Sequence, residues 1–160
     1  MKLYQIFFIV VFLISTNVYA RLYETQAQIK ERYGTPTDDS PGKNNERSEI
    51  YCYKHGGLII IVFFLDGKSQ NEGYVKPTTD NVTAADFTSD EIQSLLDANS
   101  LGKTWTLNKS GGWTLGSFWK VIANAKIENK YLTIRTVELE EYLRTEAEKP
   151  ENINKRLQGF

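Results

Sequence analysis

The chain has 160 residues, room for one domain with its own core, and its 19 Lys and Arg against 20 Asp and Glu give a formal net charge of −1. A surface this close to neutral offers little attraction to a phosphate backbone, so nucleic acid is excluded as an expected partner, and no charge run singles out an anionic membrane surface. One cysteine, Cys52, cannot close an intrachain disulfide, so the domain must be held by its core.

The first stretch, MKLYQIFFIVVFLISTNVYA, has the layout of a secretory signal peptide: Lys2 at the start, an apolar run from Ile6 to Ile14, and the small residues Val18 and Ala20 at the positions that precede a cut. It predicts cleavage after Ala20, a mature chain from Arg21, and export to the periplasm or the extracellular space. The competing reading is an uncleaved anchor, although the apolar run is short of the ~20 residues a spanning helix needs. Without a cysteine after the cut, a lipid anchor at that position is not available.

Residues 21–147 read as one α+β domain. In ETQAQIKERYG, Thr25 caps a short helix, Gln28 occupies the capping-box position, Ile29 and Tyr33 share a face, and Gly34 with Pro36 ends it. Residues 35–48, rich in Pro, Gly, Asp and Asn, predict a mobile loop without apolar period. Three antiparallel strands follow at about 49–54, 58–65 and 68–75, a meander separated by HGG and by Asp66-Gly67. The middle strand, LIIIVFFL, is too short to span a bilayer as a helix, and its β-branched residues suit a sheet.

That strand is apolar on both faces. Leu58, Ile60, Val62 and Phe64 point one way and Ile59, Ile61, Phe63 and Leu65 the other. An antiparallel sheet needs only one apolar face, so this one asks for cover on both. Leaving four large side chains in water would forgo on the order of 6–12 kcal/mol. TSDEIQSLLDANS supplies one cover: Thr88 and Glu91 form a capping box, and Ile92, Leu95 and Leu96 make an apolar stripe. The Trp-rich half then predicts short strands around Trp105 and Trp113. A hairpin follows whose first arm alternates Trp119, Val121, Ala123, Ala125 and Ile127 against polar residues, with a turn near Asn129 and a return along Tyr131 to Thr136. A last helix over about 137–147 carries Leu139, Tyr142 and Leu143, and 148–160 reads as a frayed tail. No internal repeat is visible.

The stretches TQAQIKERYGTP (Thr25–Pro36), YCYK (Tyr51–Lys54) and IVFFLDGK (Ile61–Lys68) resemble the small SmpA/OmlA outer-membrane lipoproteins and the related fold of the β-lactamase inhibitor proteins. The resemblance covers less than half of the mature chain. It implies a helix layer on an antiparallel sheet and a role in protein binding rather than catalysis. The chain departs from the pattern in lacking a lipidation cysteine, in having a loop in place of a second helix before the strands, and in its Trp-rich half.

Chemical motifs are sparse. Cys52 and His55 are three apart in one strand and so face opposite ways, which argues against a thiol–imidazole pair. One His and one Cys with scattered carboxylates give no recurrent metal-ligand spacing, and no cofactor motif is present. Asp66 belongs to a turn. Asp90, Glu91, Glu138, Glu140 and Glu141 suit helix starts, and Asn81 and Asn108 match the glycan-acceptor pattern. Aromatic side chains remain. Trp105, Trp113 and Tyr74 are the candidate binding residues, against the alternative that the tryptophans fill the core. The sequence therefore predicts an exported, non-enzymatic module that binds an envelope or extracellular protein. Two other readings stand beside it, a secreted hydrolase whose site assembles only in three dimensions and a structural protein tethered by its N-terminal segment.

Overall fold

The computed structural model describes residues 21–78, 83–117 and 120–149. The expected signal peptide, Asn81, Trp119, the Val121 side chain and the tail beyond Lys149 lie outside what is described. The elements in chain order are α1 (Gln26–Tyr33), β1 (Gly42–Lys43), β2 (Ser48–His55), β3 (Leu58–Leu65), β4 (Lys68–Val75), α2 (Ser89–Ala98), β5 (Trp105–Leu107), β6 (Trp113–Ser117), β7 (Lys120–Glu128), β8 (Tyr131–Thr136) and α3 (Val137–Glu148). The strands form one antiparallel sheet in the order β1-β2-β3-β4-β8-β7-β6-β5. The described residues form a single α+β domain of eight strands and three short helices.

Turn chemistry sets the registers of its long hairpins. Between β2 and β3, Gly56 and Gly57 have φ of 59° and 77°; between β3 and β4, Asp66 and Gly67 have 51° and 74°. These are the two successive left-handed residues of a type I′ turn, whose twist matches that of the strands. Asn129 and Lys130, at 49° and 68°, make the same turn between β7 and β8. Each of the three described helices starts on a threonine: the Thr25, Thr88 and Thr136 hydroxyls accept from backbone N–H groups of the first turn, and Thr25 and Thr88 complete capping boxes with Gln28 and Glu91.

The element order discloses a duplication that the sequence hides. A capped helix followed by a four-stranded meander occurs twice, α1 with β1–β4 and α2 with β5–β8, and the last strands of the two units, β4 and β8, pair along Asn71–Val75 and Tyr131–Arg135 to join them. Segment 35–48, expected as an unpatterned loop, contains β1 and lies along the outer edge of β2: Thr37 N–H donates to Cys52 O at 2.8 Å, and Cys52 N–H to Ser40 Oγ at 2.9 Å.

The pairing registers assign the paired strand residues to a face. On the first face lie Tyr53, Ile60, Val62, Phe64, Tyr74, Leu132, Ile134, Ala123, Ala125 and Leu115, all buried, and Ile29, Tyr33, Leu95 and Leu96 of α1 and α2 join them in one core. Helix α3 belongs elsewhere. It touches β4, β7 and β8, and Leu139 is buried at its start but separate from that core. Its Tyr142 hydroxyl accepts from Asn45, and its ring lies 5.4 Å from the Arg47 guanidinium. Among the described residues, no helix is long and apolar enough to cross a membrane.

Candidate functional site

The second face of the sheet is where the structure departs most from a fully covered core. Three rows of side chains cross it. One runs Ile50, Phe63, Asn71, Arg135, Asn124 and Thr114; the next runs Cys52, Ile61, Gly73, Thr133 and Lys126; the third runs Lys54, Ile59, Val75, Tyr131 and Glu128. The β2–β3 side of the first two rows is apolar, the third sets Lys54 beside Ile59, and the β6–β8 side is largely polar. Cover on both sides of β3 was expected. The first face meets that expectation, with Ile60, Val62 and Phe64 at 2%, 0% and 1% exposure. On the second face Leu65, at the α3 end, and Val75 of β4 are buried, while Ile50, Cys52, Ile59, Ile61 and Phe63 are half-buried.

Gly73 shapes this surface. It pairs with Ile61 on one side and Thr133 on the other, so a missing side chain separates the apolar strip from the polar rows. A Cβ there would rest 3.8 Å from Ile61 O, an ordinary contact, so the trough follows from the residue type and is not enforced by crowding. At the hairpin end the strip runs into an open groove of about 590 Å³ between Thr37, Cys52, Ile59 and Pro77. On the polar side a second groove, of about 400 Å³, is lined by Asn124, Lys126, Glu128, Thr133, Arg135 and Glu140 among others.

Electrostatics within these grooves are modest. Asn124 Nδ2 donates to Glu140 at 3.1 Å, and Lys126 pairs with Glu128. The hydrogen bond from Lys126 holds the Glu128 carboxyl below its ordinary range, so Glu128 stays ionised and is a poor proton donor. Cys52 and His55 both border the larger groove, yet the His55 ring packs 5.5 Å from that of Tyr33, on the helix side of the sheet, while Cys52 lies on the other face. Burial, with help from Asp39, raises the Cys52 thiol above its ordinary value, which disfavours the thiolate a nucleophile needs. Among the described residues no three His, Cys, Asp or Glu side chains converge on a metal position.

The residues suspected from sequence are on the other face. Tyr74 is 0% exposed and sits in the core, out of reach of a partner. Trp105 and Trp113 are half-buried and pack against the same core, and the Trp105 indole N–H donates to Leu96 O at 2.7 Å, tying β5 to α2. They form no shared platform with Tyr74. Asn108 closes the β5–β6 hairpin: its Oδ1 accepts from the N–H groups of Ser110 and Gly112, both at 3.1 Å. The half-covered strip was legible only as a demand for cover, and sequence alone could not show which face would lack it.

Comparison of the chain with protein-family models, with curated proteins and with solved structures finds no match.

Proposed function

We propose that this protein is a non-enzymatic binding module whose second sheet face receives another protein, and that it acts after export, at the cell envelope or outside the cell. The observation that carries this reading is the half-buried state of Ile59, Ile61 and Phe63 on a well-formed strand. Their neighbours Ile50 and Cys52 extend the apolar centre, and Lys54, Asn71, Thr133 and Arg135 border it. An apolar centre with a polar margin is the usual anatomy of a protein interface. A stable strand offers it with little further loss of conformational freedom. The resemblance to SmpA/OmlA proteins and β-lactamase inhibitor proteins is part of this proposal, supported by the helix layer on an antiparallel sheet, and the export route rests on residues 1–20.

Substitution on the strip tests it. Ile61→Lys places a charge at the centre without reaching the core. It should leave the far-ultraviolet spectrum and unfolding midpoint close to those of the parent while abolishing retention of whatever envelope or extracellular protein the parent captures. Retention unchanged by Ile61→Lys would reject this face as the binding surface. The hydrolytic reading has one observation in its favour, the two carboxylates Glu128 and Glu140 on the lining of one groove. Turnover of ester, amide or glycoside substrates that is lost in Glu140→Gln would select it instead.

A further inference from the structure

Residues 21–24 form an irregular strap along the start of β4, and buried Ser69 holds it at both ends. The Ser69 hydroxyl donates to Arg21 O at 2.6 Å and accepts from Glu24 N–H at 2.9 Å; Tyr23 N–H donates to Ser69 O at 2.7 Å, and Ser69 N–H to Glu24 O at 2.8 Å. Leu22 plants an apolar side chain in the core. Arg21 does something different. Its guanidinium donates to the Tyr74 hydroxyl at 3.2 Å and lies 5.5 Å from the centre of the Tyr33 ring.

Directly behind that hydroxyl is Glu72, a carboxylate with no exposure in the middle of the sheet. Its Oε2 accepts from the hydroxyls of Tyr74 and Tyr33, the latter at 3.1 Å, and Asn99 Nδ2 donates to the Tyr74 hydroxyl at 3.0 Å. Glu72 Oε1, Arg21 Nε and Asn99 Oδ1 have no hydrogen-bond partner among the described residues. Tyrosines and an amide polarise a carboxylate but do not neutralise it. The other nearby charges cancel: Glu24 of the strap, almost wholly buried, is bonded to Arg32 of α1.

We propose that Arg21 is an electrostatic latch, its charge compensating buried Glu72 across the Tyr74 hydroxyl and thereby holding the strap, and with it the start of α1, on the sheet. A buried charge stripped of its partner is strongly unfavourable, so an open strap costs more than the Leu22 contacts alone. The latch lies one residue beyond the cut expected after Ala20. A cut there leaves it in place, and a cut one residue later removes it.

Amide hydrogen exchange of Tyr23 and Ser69 at pH 8, in the full chain, reads the latch directly, since their N–H groups are bonded only while the strap is closed. Arg21→Gln should accelerate both amides by about tenfold or more, and Arg21→Lys by clearly less. With Glu72→Gln as background, the same Arg21→Gln change should accelerate them by less than about twofold, because no charge is left to strand. Should Glu72→Gln not fold, Glu72→Met serves in the same arm. Leu22→Ala is the contrast, an apolar anchor whose loss accelerates exchange equally in either background. Equal acceleration by Arg21→Gln with and without the Glu72 carboxylate, or none at all, overturns the proposal.

Discussion

Glu72 illustrates how far one residue's chemistry departs from its place in the pattern. Burial raises its carboxyl above the ordinary value, only partly offset by the hydrogen bond from Tyr74 and the charge of Arg21. Folded protein therefore binds this proton more tightly than the unfolded chain does. The stabilisation is fully present below the unfolded value of about 4.3 and is lost as pH rises from there through the folded value. Glu72→Gln removes the titration, so the urea midpoint of the variant relative to the parent should climb between pH 4 and pH 8; a constant difference would contradict the assignment. In the sequence, SQNEGYV gives no hint of this. Glu72 reads as an ordinary polar residue of a half-solvated strand, because what buries it comes from β8, α1 and the strap, all distant in sequence. Thr25, Thr88 and the Asp66-Gly67 turn, by contrast, were legible because their partners lie within three residues.

At the scale of the element, β3 carries two different strands' worth of energetics on one backbone. Ile60 and Ile61 are neighbours of the same chemistry, one 2% exposed in the core and the other half-buried on the open face. Truncating the first leaves a cavity among close-packed neighbours, whereas the second already meets solvent. Ile60→Ala should cost about 2–5 kcal/mol and Ile61→Ala about 1 kcal/mol, measured by urea denaturation. Similar losses would mean that the second face is as well covered as the first. Periodicity located β2, β3, β4, β7, β8 and all three helices nearly to the residue, since alternation and caps are local signals. It missed β1, two residues recruited by the backbone of β2. It also placed Trp105 and Trp113 no better than a choice between core and surface, which only the position of α2 resolves.

The described residues form two helix-plus-meander units that share one core, with α3 packed apart from it. Residues from both, among them Tyr53, Val62, Leu115 and Ile134, belong to a single buried cluster, and β4–β8 pairing runs through the middle of the sheet. Such continuity predicts one cooperative transition. Tryptophan occurs only in the second unit, at 105, 113 and 119, so fluorescence reports that unit while exchange of the Ile60 and Val62 amides reports the first. The two probes should give the same midpoint in urea, and separated midpoints would show units that fold independently. This duplication escaped the sequence because it is carried by element order and capping threonines and not by matching side chains.

The outermost strands add a last consequence. With only Gly42–Lys43 at one end and Trp105–Leu107 at the other, neither border offers a ladder long enough to seed continued growth, and the loop hydrogen-bonded to Cys52 blocks part of the flank behind the first. Among the described residues, a chain with so greasy a third strand is thereby protected at both borders of its sheet against the edge-to-edge pairing that builds fibres.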